Sequence, residues 1–185
     1  MGSEMCIRDR ARCNDCTLDG INLTSVSVAG QTGGSTIGIG GLVGVGECAR
    51  LSKVNGDITV AAEGRNVGGF YGQLKRAHIS KSSATVDIDV VGGGHESIGG
   101  LLGAADDVTF SDVTVDGDVD GIRAVGGVAG TLGVRLNMEK VSCAVNVTAT
   151  DEQAGGLVGH VAVEVDSALI SRSFSTGSVL SLIHI

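Results

Sequence analysis

The sequence predicts an all-β chain wound as a parallel β-solenoid, and three observations carry that prediction. A glycine-rich string returns five times in phase, and a second set of apolar positions keeps the same phase behind it. The composition holds thirty-one glycines and no proline, and no 3.6-residue apolar stripe persists between the glycine strings. Internal repetition at a period of 20–50 residues marks solenoids and related arrays, so the repeat is taken first.

The string Ile39-Gly40-Gly41-Leu42-Val43-Gly44 returns as Val67-Gly68-Gly69-Phe70-Tyr71-Gly72 and as Ile98-Gly99-Gly100-Leu101-Leu102-Gly103. Val125-Gly126-Gly127-Val128-Ala129-Gly130 and Ala154-Gly155-Gly156-Leu157-Val158-Gly159 complete the set. The leading glycines stand at 40, 68, 99, 126 and 155, so the repeats are 27–31 residues long. Behind each string comes an apolar residue and then positions three, seven and nine further on. They read Leu51, Val54, Ile58, Val60; Ile79, Ser82, Val86, Ile88; and Phe110, Val113, Gly117, Val119. Met138, Val141, Val145, Val147 and Ile170, Ser173, Gly177, Val179 follow. The last two positions of each set lie two apart, the alternation of a strand with one buried face.

Each turn is therefore expected to hold three short strands: one on the glycine string, one around the first apolar pair and one on the last pair. Paired glycines suit a corner with positive φ or a place where neighbouring backbones approach closely. Leu18 to Val28, with Ile21, Leu23, Val26 and Val28, reads as the tail of a preceding repeat. A single repeat buries too few side chains to offset the entropy of ordering its backbone, so the units must stack and share ladders and a core.

The flanks read differently. Met5-Cys6-Ile7-Arg8-Asp9-Arg10 is the translation of ATG TGT ATA AGA GAC AG(R), and Leu180-Ser181-Leu182-Ile183-His184-Ile185 that of CTG TCT CTT ATA CAC ATC. The first string is a transposase recognition end used in preparing sequencing libraries, and the second is the reverse complement of the same element. We hypothesise that residues 1 to 10 and 180 to 185 are translated adaptor, and that 11 to 179 is an internal stretch of a longer, metagenomic gene. Raw reads running through either junction as genuine coding sequence would overturn this.

Composition excludes several classes. The net charge is −8 and is unchanged when the flanks are removed. An acidic chain in which Lys and Arg neither cluster nor line up from repeat to repeat is a poor partner for nucleic acid or anionic membrane. Collagen would need abundant proline, the regular Val, Ile, Leu and Ala argue against disorder, and no apolar run approaches the ~20 residues of a membrane helix.

The repeats resemble the GLUG-motif family, whose Gly-Leu-any-Gly core stands here as Gly41-Leu42-Val43-Gly44, Gly100-Leu101-Leu102-Gly103 and Gly156-Leu157-Val158-Gly159. Phe70 and Val128 replace the leucine in the other two copies. The resemblance covers residues 17 to 179. It implies a large secreted or surface-anchored bacterial protein, such as a filamentous-haemagglutinin-like adhesin or the non-catalytic part of an immunoglobulin A peptidase. It thus implies an extracellular or cell-surface location, and host or matrix proteins, glycans and flanking repeats of the same chain as partners.

Candidate chemistry is sparse. Asp116-Gly117-Asp118-Val119-Asp120-Gly121 imitates the opening of an EF-hand loop, but the acid due twelve positions from the start falls on Gly127. The favoured reading of Asp116, Asp118 and Asp120 is an exposed strand face with Gly117 and Val119 turned inward. Weak calcium binding, with Asp106, Asp107 and Asp112 as accessories, is the alternative, and no other cofactor is expected.

Cys13 and Cys16 have zinc-knuckle or redox spacing without a second such pair, and read as a local disulfide or an incidental pair. Cys48 and Cys143 read as small core residues. His78, His95 and His160 are scattered, and only His95 has an acid (Glu96) beside it. Asn22 and Asn146 head glycosylation-acceptor triplets.

The expected role is a structural and adhesive repeat module without catalysis of its own. The alternative is the accessory β-helix of a polysaccharide-active enzyme or protease whose active site lies elsewhere. Such sugar enzymes carry aromatic platforms, for which this chain offers Phe70 and Tyr71.

Overall fold

The computed structural model describes residues 12–31, 38–91, 97–162 and 167–182. All regular structure among them is β, and every strand pairing is parallel. A leading turn is formed by β1 (Arg12–Asn14), β2 (Thr17–Asp19) and β3 (Asn22–Gln31). The next holds β4 (Ile39–Gly40), β5 (Val43–Glu47), β6 (Arg50–Ser52) and β7 (Asn55–Glu63). Then come β8 (Asn66–Gly68) with β9 (Tyr71–Val90), β10 (Ser97–Gly99) with β11 (Leu102–Gly126), and β12 (Ala129–Gly155). The last turn is β13 (Val158–Val161), β14 (Ser167–Ser171), β15 (Phe174–Ser175) and β16 (Val179–Ser181). The chain is a β-solenoid of about five turns. The ten residues read as an N-terminal adaptor lie outside the described residues, whereas Leu180 and Ser181 sit in β16 opposite Thr148 and Ala149.

The apolar sets stack as the repeat predicts. Leu51, Ile79, Phe110, Met138 and Ile170 form one column of register partners. Val60, Ile88, Val119, Val147 and Val179 form another. Leu18 lies beneath Leu51, and Val26 and Val28 beneath Ile58 and Val60. One extra residue is absorbed by an irregularity between Leu23 and Val26, as in a β-bulge. Three further inward columns complete the core: Leu74, Ala105, Leu132; Ala77, Val108, Leu136; and Ala84, Val115, Cys143. The Val60 column is β-branched throughout, and such residues favour extended backbone and pack well against like neighbours one rung away.

The expectation of three separate short strands needs correction. In the middle turns the ladder continues through the corners, so β9, β11 and β12 run for 20, 25 and 27 residues. They bend at single residues in the left-handed region. One corner column is Asp15, Cys48, Arg76, Asp107 and Val134, and the next is Gly20, Lys53, Lys81, Asp112, Lys140 and Arg172. Apart from Gly20, residues other than glycine thus take these positive-φ corners. Among the described glycines only Gly20 and Gly117 have positive φ.

The paired glycines answer the second need instead, close approach. A Cβ on Gly41 would sit 2.6 Å from the Gly69 carbonyl oxygen one rung away, and one on Gly68 would sit 2.6 Å from the Gly103 nitrogen. The third glycine of the string is equally confined: a Cβ on Gly103 would lie 2.7 Å from the Asn66 carbonyl carbon of the preceding rung. The string G-G-x-x-G therefore folds into a turn so tight that neighbouring rungs touch backbone to backbone. The inward residue of that turn is Leu42, Phe70, Leu101 or Val128, each buried. Phe70 and Val128 occupy the same inward place as the leucines they replace.

Candidate functional surface

With the interior closed by side chains, function has to reside on the outward faces and corners. The strand following the second corner presents Asp57; then Asp87 and Asp89; then Asp116, Asp118 and Asp120. Asp118 stands in register with Asp87, and Asp120 with Asp89. Asp116, Asp118 and Asp120 are all exposed and Val119 is buried. Gly117 is half-buried at φ 117°, where a Cβ would fall within 3 Å of the Val86 backbone.

Residues two apart on a strand stand about 6.6 Å from one another, too far for three carboxylates of one strand to close on a single ion. The Asp116 carboxylate instead accepts from its neighbouring Gly117 N–H at 2.8 Å, and Asp118 accepts from the Asn146 amide at 3.0 Å. Among the described residues no three His, Cys, Asp or Glu side chains are grouped to hold a metal. Asp106, Asp107 and Asp112, the accessory acids, lie on other segments and pair with Lys75 (3.4 Å), Arg135 (2.8 Å) and Lys140 (3.3 Å).

These pairs belong to a wider system of bonds between rungs. Arg76 pairs with Glu47, Arg172 with Glu139, and Arg123 with both Asp151 and Glu152. Polar ladders run beside them: Asn55 donates to Asn22 at 3.2 Å and accepts from the Ser83 hydroxyl at 2.8 Å. The Asn146 amide oxygen accepts from the Ser178 N–H and hydroxyl. Both glycosylation-type asparagines are thus engaged in ladders along the rod.

The expectation that bases neither cluster nor align is corrected by the fold. Arg50 and His78 are register partners, and Lys53 stacks below Lys81 in the second corner column. All four are exposed. A shallow groove of about 490 Å³, lined by Cys48, Arg50, Arg76, His78, Asp107 and Thr109, runs beside them. A separation of 28 residues hid this alignment, because Arg50 and His78 fall in different repeats and become neighbours only when the turns stack.

The remaining candidates are placed individually. Cys13 and Cys16 form a disulfide. Cys143 is buried as expected, and burial pushes its thiol above the usual range despite hydrogen bonds from Val145 and Ser175. Cys48 departs from the expectation of a core residue: it is half-buried at the first corner, with φ 56°. Tyr71 is fully buried with its hydroxyl 3.9 Å from the Cys16 sulfur, and burial pushes its pKa up to about 12. Phe70 and Tyr71 therefore form no sugar platform; both are core. His78 pairs in register with Arg50 and Thr109, whereas His160 pairs with Thr131 on another segment. His95 and Glu96 lie outside the described residues. No helix among the described residues is long and apolar enough to cross a membrane.

Two relatives frame this surface. The chain is 30% identical over 184 residues to halomucin of Haloquadratum walsbyi, a match covering 91% of this chain. It is also 33% identical over 129 residues to the immunoglobulin A1 protease of Streptococcus pneumoniae, covering 65% of this chain. The matched region spans 2% and 7% of the length of those proteins. No family model matches the chain, and no solved structure matches it.

Proposed function

We propose that this chain is a structural and adhesive repeat module of a large secreted or surface-anchored protein, of the GLUG-like kind, with no catalysis of its own. The observation that carries the reading is the in-register stack. Each turn repeats the same inward columns and the same backbone-to-backbone glycine turn, so a rod lengthens by about 4.8 Å per rung while its outward faces stay free to vary. Similarity to small segments of two much longer proteins supports a repeating part rather than a whole machine. Their names, a mucin and a protease directed at an immunoglobulin, support an extracellular setting. Host or matrix proteins and glycans are the partners proposed.

Similarity to the immunoglobulin A1 protease favours a second reading, an accessory array beside a protease domain. Deleting these repeats from the complete gene product separates the two. Loss of binding to host cells or matrix with proteolysis unchanged supports the adhesive module. Unchanged binding with impaired cleavage of an immunoglobulin substrate assigns the repeats to the protease.

A further inference from the structure

Among the described residues, six of the eleven Lys and Arg are engaged in pairs between rungs: Lys75, Arg76, Arg123, Arg135, Lys140 and Arg172 each meet a carboxylate. Arg12, Arg50, Lys53, Arg65, His78 and Lys81 are exposed and in no ion pair among the described residues, and of these Arg50, Lys53, His78 and Lys81 lie together. They stack two by two in adjacent rungs on one segment and its corner. The adjoining face, which begins beyond that corner, carries Asp57, Asp87, Asp89, Asp116, Asp118 and Asp120, likewise with no ion pair among the described residues. Like charges directly opposite one another in a sheet repel, so each face is left with a charge that its own rod does not neutralise.

We propose that this acidic face, which meets no cation of its own rod among the described residues, is a docking surface for the basic ladder of a second copy of this chain. Charge complementarity names the occupant. Charges on both surfaces recur at the rung spacing of about 4.8 Å, so a second solenoid lying alongside presents the opposite charge at the matching interval. A nucleic acid strand fits less well, because the basic ladder has no exposed Phe, Tyr or Trp on which successive bases could stack; Tyr71, Phe70 and Phe110 are all buried. The two surfaces are different patches of one molecule. A contact through one patch of each copy is heterologous and extends into lateral bundles of rods, whereas reciprocal use of both adjoining patches closes as a two-fold pair. This association does not depend on whether the repeats also bind a host surface.

The test uses the full chain in sedimentation velocity at low ionic strength and at about 1 M salt, where the Debye length falls to ~3 Å. Two charge-reversed variants accompany it: Lys53→Glu/Lys81→Glu, which carries two acidic surfaces, and Asp87→Lys/Asp118→Lys, which carries two basic ones. The parent is expected to assemble at low salt and to separate at high salt. Each variant alone should associate at least about tenfold more weakly, and an equimolar mixture of the two should regain assembly. Should the lysine variant not fold, Arg50→Glu/His78→Glu carries the same test. Assembly that persists in high salt or ignores both reversals would overturn the proposal and point to stacking through the solenoid ends. A parent that stays monomeric at low salt while Lys53 and Lys81 retain it on a sulfated polysaccharide would overturn it in favour of a glycan.

Discussion

Tyr71 reports on the interior of the rod by itself, because the chain has one tyrosine and no tryptophan. Its folded pKa of about 12 exceeds the ~10 of an exposed phenol. Above pH 10 the unfolded chain loses this proton before the folded one does. Stability is thus unaffected by this group below pH 10 and falls as pH rises from 10 to 12. An ultraviolet titration of the native protein should show phenol ionisation delayed to about pH 12 or arriving abruptly with unfolding, and Tyr71→Phe should flatten the alkaline loss of stability. Ionisation of the folded protein at pH 10 would mean that the Tyr71 hydroxyl reaches water.

Ser82 offers a second test at the same scale. It is a buried polar residue of the core, 3% exposed, and its hydroxyl accepts from the Val54 N–H at 3.1 Å while donating to the Ser80 carbonyl at 2.8 Å. Ser173 repeats the arrangement with Val141 and Ser171 at 3.0 and 2.9 Å. Each serine follows a left-handed corner residue, Lys81 or Arg172, and its hydroxyl takes the N–H of the preceding rung. Ser82→Ala strands a buried N–H and should cost about 1–3 kcal/mol in urea unfolding. A loss near zero would mean that water reaches Val54.

At the scale of the element, the glycine turn and the left-handed corner make opposite demands. In the turn, a Cβ on Gly100 would lie 3.0 Å from the Val115 side chain and 3.2 Å from the Gly127 carbonyl carbon. Gly100→Ala should therefore cost on the order of 3 kcal/mol, as overpacking does. At the corner, Val134 holds φ 61° while 41% exposed. A β-branched residue is strained there, by roughly 1–2 kcal/mol, and Asn is better tolerated. Val134→Asn should raise the unfolding midpoint while Gly100→Ala lowers it. The reverse order would place the strain in the turn instead.

These two demands also explain what the sequence disclosed. The glycine turn was legible because backbone contact between rungs permits one residue type, and that type recurs at every turn. The columns of Leu51 and Val60 were legible because apolar side chains recur at the repeat period. The left-handed corners were not, since Cys48, Arg76, Asp107 and Val134 share a conformation without sharing chemistry. The inward places of Ala77 and Ala84 were hidden for a related reason: alanine is common on either face of a strand. On the surface, the ion pairs and the Lys53 and Lys81 stack join residues of different repeats, and their separation along the chain carries no local signal. Asp116, Asp118 and Asp120 needed only period-two alternation to be placed outward.

Over the whole molecule, burial falls away towards the ends of the stack. Phe110 and Met138 are fully buried, yet Ile170 in the same column is 49% exposed, and Phe174 is 55% exposed. At the other end, Leu18, Ile21 and Val28 are half-buried against the core. In a one-dimensional array each turn is stabilised by its neighbours, so a turn with a neighbour on one side opens more easily than one held on both. Native-state hydrogen exchange of this 185-residue chain by itself should accordingly show the lowest opening free energies in β14, β15 and β16, intermediate values in β2 and β3, and the highest in β11 and the facing part of β12. The gradient should flatten with added denaturant, because openings that reach the interior turns expose more surface and are promoted more strongly. Uniform protection from Thr17 to Ser181 would mean that the stack opens as one cooperative unit, and the nearest-neighbour description of this rod would fail.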